Sequence, residues 1–405
     1  MAEQLRKTVQ APEVVANKVD ERLDDEVMEA LLDGCVKIDA SDLHLGINEP
    51  PIYRRHGRLY ELEGYREIDI DDMVTAVSFF IGEETGDNIY WSRYYERGGA
   101  DIGYAHGDQA RFRVSVFRQK QAPALALRLI PHEILTFEQL GLPPEQIREL
   151  CHRQRGVVLL TGPTGCGKTT TIASMIDYIN RERDVHIITI EEPIEYYHEG
   201  KQSILNQREV GVDVLTFAEA VTRNMRSDPD VMLVGEMRDL ETMRACLQAA
   251  ETGHLVFSTL HTVSAPKTID RLVTAFPTAE QEEIRAMAST SLAAVFSEEL
   301  IPRIDTDGRV AAFEIMVGEA GGSPAIGNLI RERKTSMMRS VIQSSGQSLG
   351  MQLLESNLAQ LVNDQKISFD DGYNRSNEKM DFLNFVDEAR VPDSYQHALA
   401  AISKE

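Results

Sequence analysis

The run Val157-Val158-Leu159-Leu160-Thr161-Gly162-Pro163-Thr164-Gly165-Cys166-Gly167-Lys168-Thr169-Thr170 governs how the rest of the chain folds. From Gly162 it fits G-x-x-x-x-G-K-[ST], the pattern of a phosphate-binding loop. The apolar residues before it read as a buried strand. Thr170-Thr171-Ile172-Ala173-Ser174-Met175-Ile176 after it reads as the start of a helix. Strand, loop and helix in that order are the context the motif requires. The glycines let backbone N–H groups turn inward around phosphate oxygens, and the helix start adds partial positive charge. The candidate nucleotide-contacting residues are therefore Gly162, Pro163, Thr164, Gly165, Cys166, Gly167, Lys168, Thr169 and Thr170. Lys168 would reach the β- and γ-phosphates of ATP, and Thr169 would offer its hydroxyl to Mg²⁺.

Downstream, Val185-His186-Ile187-Ile188-Thr189-Ile190 reads as a second buried strand and ends in Glu191-Glu192-Pro193-Ile194-Glu195. Acids at the carboxyl end of a parallel strand lie where ligands bind in open α/β sheets. Asp230-Val231-Met232-Leu233-Val234-Gly235-Glu236 is a third strand with a terminal acid. It is similar to a Walker B segment, with Gly235 where many such motifs carry Asp. Glu236 is then the acid to weigh, its contact with Mg²⁺ running through water. A fourth strand, Leu255 to Leu260, ends at His261, a candidate sensor of the γ-phosphate. Strands alternating with helices predict a mostly parallel sheet. Beyond Phe276 the pattern reads as helix from Glu280 to Leu300, a short strand pair near Val310 to Met316, and helices over 324–334, 335–344 and 350–364. Residues 151–365 are expected to form this ATPase domain, and 366–405 a polar, loosely packed tail.

Upstream, residues 1–20 read as a flexible tail. Apolar residues at helical spacing predict a helix from Asp20 to about Gly34. Strands are expected at Ala40 to Leu45, at Ile52 to Arg55 and at Arg58 to Tyr60, the last two joined by a His56-Gly57 turn. A helix from Asp71 to Glu83 follows. A meander then runs from Asp101 to Tyr104, through a His106-Gly107-Asp108 turn, and over Arg111 to Arg118 and Ala124 to Leu129. Residues 21–130 thus read as a smaller α+β domain, and 131–150 as a linker with a short helix. Period 2 in Arg111-Phe112-Arg113-Val114-Ser115-Val116 puts Arg111 and Arg113 on one face, with Arg128 on the next strand. The three form either a solvated face or a guanidinium cluster aimed at phosphate across a domain or subunit interface.

The formal net charge of −23 over 405 residues argues against a general nucleic-acid binder. No apolar run approaches the length of a membrane span, and the first twenty residues lack the apolar core of a secretory signal. The four cysteines, Cys35, Cys151, Cys166 and Cys246, form no C-x-x-C pair. A zinc site is not expected, and a reduced cytoplasmic setting fits.

At this point the motifs resemble those of the PilT-type ATPases, the retraction motors of type IV pili, within the wider secretion-ATPase superfamily. The resemblance covers roughly residues 24–365. Its landmarks are Ala40 to Leu45, the Gly162 to Thr169 loop, Thr189 to Glu195 (similar to the family's aspartate box), Asn206 to Val210, Val234 to Asp239, and the histidine box from Ala250 to Thr262. Ala325-Ile326-Gly327-Asn328-Leu329-Ile330-Arg331-Glu332 resembles the A-I-R-N-L-I-R-E signature of the retraction subfamily.

The resemblance implies a homo-hexameric ring with a PAS-like N-terminal domain and a RecA-like C-terminal domain, ATP binding between them. It implies that Glu195 polarises the attacking water and that Glu236 supports Mg²⁺ and water. It further implies that Arg113 and Arg128 approach the phosphates, and that His261 couples the γ-phosphate to domain movement. The implied setting is the cytoplasmic side of the inner membrane at the pilus base. The implied partners are an inner-membrane platform protein and a related accessory pilus ATPase. Two positions depart from the family pattern: Glu192, where the family has Asp, and Gly327, where the signature has Arg. The alternatives are a pilus-assembly or type II secretion ATPase, whose tetracysteine module is missing here, a non-motor ATP-binding accessory subunit, and a RecA-fold DNA translocase, which the acidic balance disfavours.

Overall fold

The computed structural model describes residues 7–9, 12–16, 18–55, 58–85, 88–107, 110–130 and 133–395. The turns read at His56-Gly57 and at Asp108, and the last ten residues, lie outside them. The described residues form two compact units. The first holds those up to Glu133 together with Glu192–Tyr197 and Glu209–Asp213, and the second holds Ile134–Glu191, His198–Arg208 and the rest from Val214. A contiguous division of the chain therefore gives way to an interleaved one: two short segments of the expected ATPase domain pack with the N-terminal sheet.

In the first unit, β1 (Lys7–Val9), β2 (Asp42–Leu45), β3 (Ile52–Arg55), β4 (Arg58–Leu62), β5 (Gly99–His106), β6 (Ala110–Gln119) and β7 (Ala122–Ile130) form one sheet in the order β1-β4-β3-β2-β7-β6-β5. Only β1 runs parallel to its neighbour. The apolar face of β6, with Phe112, Val114 and Val116 fully buried, packs with residues of the Asp25–Lys37 and Ile70–Ile81 helices into one core. Burying each such side chain contributes about 1.5–3 kcal/mol. The first helix starts later than its periodicity suggests because Asp24 caps it, accepting a hydrogen bond from the Val27 amide. The N-terminal stretch expected as a flexible tail is partly structured. Lys7–Val9 pairs with Tyr60 to Leu62, and Val15 is fully buried. The open edge of β4 supplies the hydrogen bonds, a partner that hydrophobic periodicity does not reveal.

In the second unit, β8 (Gly156–Thr161), β9 (His186–Glu191), β10 (Ile204–Glu209), β11 (Val231–Val234), β12 (Leu255–Leu260), β13 (Leu292–Pro302) and β14 (Arg309–Val317) lie in the order β10-β9-β11-β12-β8-β13-β14. Strands β9, β11, β12, β8 and β13 are parallel, and β14 returns antiparallel to β13. Every residue of β8 and β12 is buried, as expected of strands covered on both faces. The strand feeding the phosphate loop thus sits between the fourth and fifth parallel strands in chain order. This is the switch point at which open sheets bind ligands beyond their carboxyl ends.

Two expectations are corrected here. The helix read from Glu280 to Leu300 is a Gln281–Ser291 helix followed by strand β13. Leu292-Ala293-Ala294-Val295-Phe296 is apolar throughout, so periodicity cannot separate helix from strand. The open edge of β8 selects the strand. The tail expected from 366 is instead packed. Its Phe369–Arg375 and Lys379–Phe385 helices place Phe369, Phe382, Leu383 and Val386 in a core with Leu354, Leu358 and Ile301. A polar average over 366–405 conceals these few apolar residues, which fall at helical spacing.

Candidate nucleotide site

Three glycines of the phosphate loop take positive φ: Gly162 at 138°, Gly165 at 78° and Gly167 at 111°. Gly167 is also the N-cap of the Lys168–Glu182 helix, and it offers no side-chain cap. A helix start without a side-chain cap is the kind of terminus at which anions bind. Lys168 is nearly buried. Its ammonium donates to the carbonyls of Gly162 and Pro163, both at 2.9 Å, and lies 3.7 Å from Cys166 Sγ. These observations fit a phosphate group, whose oxygens would take over the ammonium bonds.

The loop rests on Glu298 of β13. A Cβ at Gly167 would stand 2.3 Å from Glu298 Oε1, and one at Gly162 would stand 2.3 Å from the Glu298 carbonyl. Glu298 accepts a hydrogen bond from Thr171 Oγ1 at 3.0 Å, and Ser297 meets Thr161 at 2.7 Å. Burial pushes the Glu298 carboxyl up to about 8, although the Thr171 bond and the Lys168 charge act the other way.

Glu236 and His261 come together because β11 and β12 are parallel neighbours, Val234 opposite Ser258. His261 Nε2 lies 2.9 Å from Glu236 Oε1, and Arg238 Nε donates to Glu236 Oε2 at 2.9 Å. Gly235 is pinned between strands: its amide donates to the Ile190 carbonyl at 2.8 Å, and Thr259 Oγ1 donates to its carbonyl at 2.7 Å. The exposed Thr169 hydroxyl and the Glu236 carboxylate are hard oxygen donors. Oxygen donors of this kind are what Mg²⁺ takes, and it keeps several of its waters.

Glu191, the last residue of β9 and still part of the second unit, is buried and accepts hydrogen bonds from Thr189 Oγ1 at 2.7 Å and Gln207 Nε2 at 3.3 Å. The remaining candidates belong to the first unit. Glu192 is exposed. Glu195 Oε1 accepts from Arg113 at 3.3 Å. Arg111 and Arg113 share one face of β6, as the period requires. Arg113 stands opposite Arg128 in the β6–β7 register. Arg128 Nε donates to Asp42 Oδ1 at 3.0 Å, and Ser41 Oγ donates to Asp42 Oδ2 at 2.8 Å. The structure therefore groups Lys168 with its loop, Glu236 with His261, and Glu195 with Arg113.

The model of the family described as "Type II/IV secretion system protein" matches residues 97–373, more than half of the chain. The chain belongs to this family. Among family relatives, the type IV pilus retraction ATPase PilT of Pseudomonas aeruginosa is 46% identical over 332 residues, 82% of this chain and 93% of the relative. The twitching motility protein of Neisseria gonorrhoeae is 44% identical over 315 residues, 77% of this chain and 80% of the relative. A solved structure of the pilus retraction motor PilT with bound ADP superposes with a TM-score of 0.76 at 42% identity, covering 86% of this chain and 97% of that one.

Against this family background, residue-level reasoning missed several contacts. Asp42 lies in the Ala40–Leu45 landmark, and that landmark was the available signal for its hold on Arg128. Arg238 lies two residues after Glu236 in another landmark. Glu298 gave no signal, because its stretch reads as helix. Gly327 is explained by packing. A Cβ there would fall 2.0 Å from Glu319 Oε2, and Glu319 in turn accepts from Arg331 at 2.8 Å. Among the described residues no helix is long and apolar enough to cross a membrane.

Proposed function

We propose that this chain is an ATP-hydrolysing motor of the secretion-ATPase family that powers type IV pilus retraction. In this reading it works as a homo-hexamer in the cytoplasm, with a RecA-like catalytic domain and a PAS-like N-terminal domain. Its load would be a platform protein of the inner membrane at the pilus base, with a related pilus ATPase as an accessory partner. The observation that carries the reading is the 46% identity, sustained over 82% of the chain, to a pilus retraction ATPase.

Phosphoryl transfer asks the protein for positioning and charge stabilisation. Lys168 would exchange its loop carbonyls for β- and γ-phosphate oxygens. Thr169 would hold Mg²⁺, with Glu236 acting through water, since both its oxygens already have protein partners. Mg²⁺, when bound, would neutralise charge on the β- and γ-phosphates. Glu195 would accept a hydrogen bond from the attacking water and orient it, held beside Arg113. Arg113 and Arg128 would balance the charge that develops on the phosphoryl oxygens. His261, bonded to Glu236, would couple the state of the γ-phosphate to movement of the fold.

The test is steady-state ATP hydrolysis by the purified full chain, beside Lys168→Ala and Glu195→Gln, with assembly followed by light scattering. Turnover by a hexamer that both variants lose supports the motor, and retraction in cells then tests its load. Nucleotide binding without hydrolysis in any assembled state would replace the motor with a non-catalytic binding subunit.

A further inference from the structure

Ile194, the residue before Glu195, has both of its peptide groups held by side chains. Its carbonyl accepts a hydrogen bond from Arg111 Nε at 3.0 Å. Its amide donates to Glu209 Oε2 at 3.2 Å. Side-chain bonds to the amide and the carbonyl of one residue hold the peptide planes on both sides of its Cα, and so fix the backbone that positions the next residue, here Glu195.

The holders are themselves held. Arg111 is 6% exposed, and its guanidinium carbon lies 3.7 Å from the centroid of the Tyr197 ring. Stacking of this kind orients the planar fork. Gly103 on β5 makes room for it: a Cβ there would stand 2.4 Å from Arg111 Nη2 and 3.2 Å from the Ile194 carbonyl. Glu209 is 8% exposed, its amide bonds to Asp213 Oδ2 at 2.8 Å, and Tyr90 lies 3.5 Å from its Oε1. Burial raises the Glu209 carboxyl, and the Ile194 amide and the Arg111 charge pull it back. Two residues along the same face of β6, Arg113 takes the Glu195 carboxylate at 3.3 Å.

We propose that Arg111 is a positioning residue for ATP hydrolysis: with Tyr197 and Glu209 it clamps the peptide at Ile194, so that β6 fixes the backbone before Glu195 through one arginine and the Glu195 carboxylate through the next. Arg111 then acts on the segment and makes no contact with phosphate. The inference rests on the reading of Glu195 as the residue that orients water. A displacement of about 1 Å at such a group costs roughly a hundredfold in rate.

The experiment compares the full-length wild type with Arg111→Lys and Tyr197→Ala. Tyr197 is 59% exposed, so its removal spares the core. Lysine at 111 keeps the charge and loses the planar fork. The expected result is a kcat lower by about 10- to 100-fold for Arg111→Lys and by about 3- to 10-fold for Tyr197→Ala, with KM for ATP and the affinity for ADP within about twofold of wild type. Hydrogen exchange at the Ile194 amide should accelerate in both variants while exchange in the Lys168–Glu182 helix stays unchanged. Loss of ADP affinity in Arg111→Lys would overturn the proposal in favour of phosphate contact. An unchanged kcat in both variants would overturn it outright. Glu195→Gln separates the two claims. Full turnover by that variant removes the role of Glu195, and with it any catalytic use of the clamp, whereas the exchange data still report whether the clamp holds the peptide.

Discussion

Glu298 Oε2 accepts a hydrogen bond from Thr171 Oγ1 at 3.0 Å, which places a buried carboxyl directly under the first turn of the phosphate-loop helix. Its folded pKa, pushed up to about 8 from 4.5, means that the native chain keeps a proton the unfolded chain releases. The native state then binds more protons, so stability falls as pH rises from about 4.5 to about 8 and levels off above. Glu298→Gln keeps the acceptor and removes the titration. Melting between pH 5.5 and 9 should show the wild type losing about 2–6 °C more than the variant across that range. Parallel curves would contradict the assignment.

Gly167→Ala should abolish nucleotide binding while leaving the rest of the fold in place. The new methyl meets Glu298 Oε1 at 2.3 Å, and alanine does not adopt a φ of 111° readily. Strain of about 1–3 kcal/mol is expected at this position. Titration with a fluorescent ADP analogue, beside circular dichroism, reads both effects. Near-normal binding would mean that the loop is softer than its contacts suggest.

His261→Ala removes the imidazole that bonds Glu236 at 2.9 Å. The side chain is half-exposed, so little stability should be lost. Turnover should drop by roughly 5- to 100-fold, a typical size for a lost coupling term, with ATP still bound. A variant that hydrolyses ATP normally would reduce His261 to a structural partner.

Asp42 holds Arg128 through the Nε bond at 3.0 Å. If that bond aims the guanidinium, Asp42→Ala and Arg128→Ala should each lower kcat, and the double variant should be little worse than either alone. Such non-additivity of about 0.5–3 kcal/mol is what linked residues give in a double-mutant cycle. Additive losses would show that the two act separately.

Phe382 is fully buried in the C-terminal core. Phe382→Ala should cost about 3–5 kcal/mol of the stability of that region. Urea unfolding followed by limited proteolysis near Lys379 would register it. A cost under about 1 kcal/mol would mean that these helices pack more loosely than the buried contacts imply.

The phosphate loop, the parallel strands and the acids at their ends could be read from residues alone, because a glycine pattern and continuous apolar runs are local signals. The same locality explains the misreadings. Leu292 to Phe296 is equally apolar as helix or strand, and only the vacant edge of β8, far away in sequence, decides between them. Lys7–Val9 has little apolar character and becomes a strand by pairing with Tyr60 to Leu62. Phe369 and Phe382 are diluted by charged neighbours, so the composition of the segment hides the core they share. At the site, the pairing of Arg113 with Glu195 spans 82 positions of sequence, a separation that no motif spacing encodes. Glu236 with His261 was within reach, since both end neighbouring parallel strands.

The interleaving of the two units bears on how such a protein can be recombined. The chain passes from one unit to the other five times, at 133/134, 191/192, 197/198, 208/209 and 213/214. A chimera joined in the 130s would carry a foreign N-terminal sheet against the native Glu192–Tyr197 and Glu209–Asp213 segments. Arg111 from one parent would then face Ile194, Tyr197 and Glu209 from the other. Successful exchanges between relatives should therefore bring these two short segments along with the first 133 residues, making the heritable module a discontinuous one.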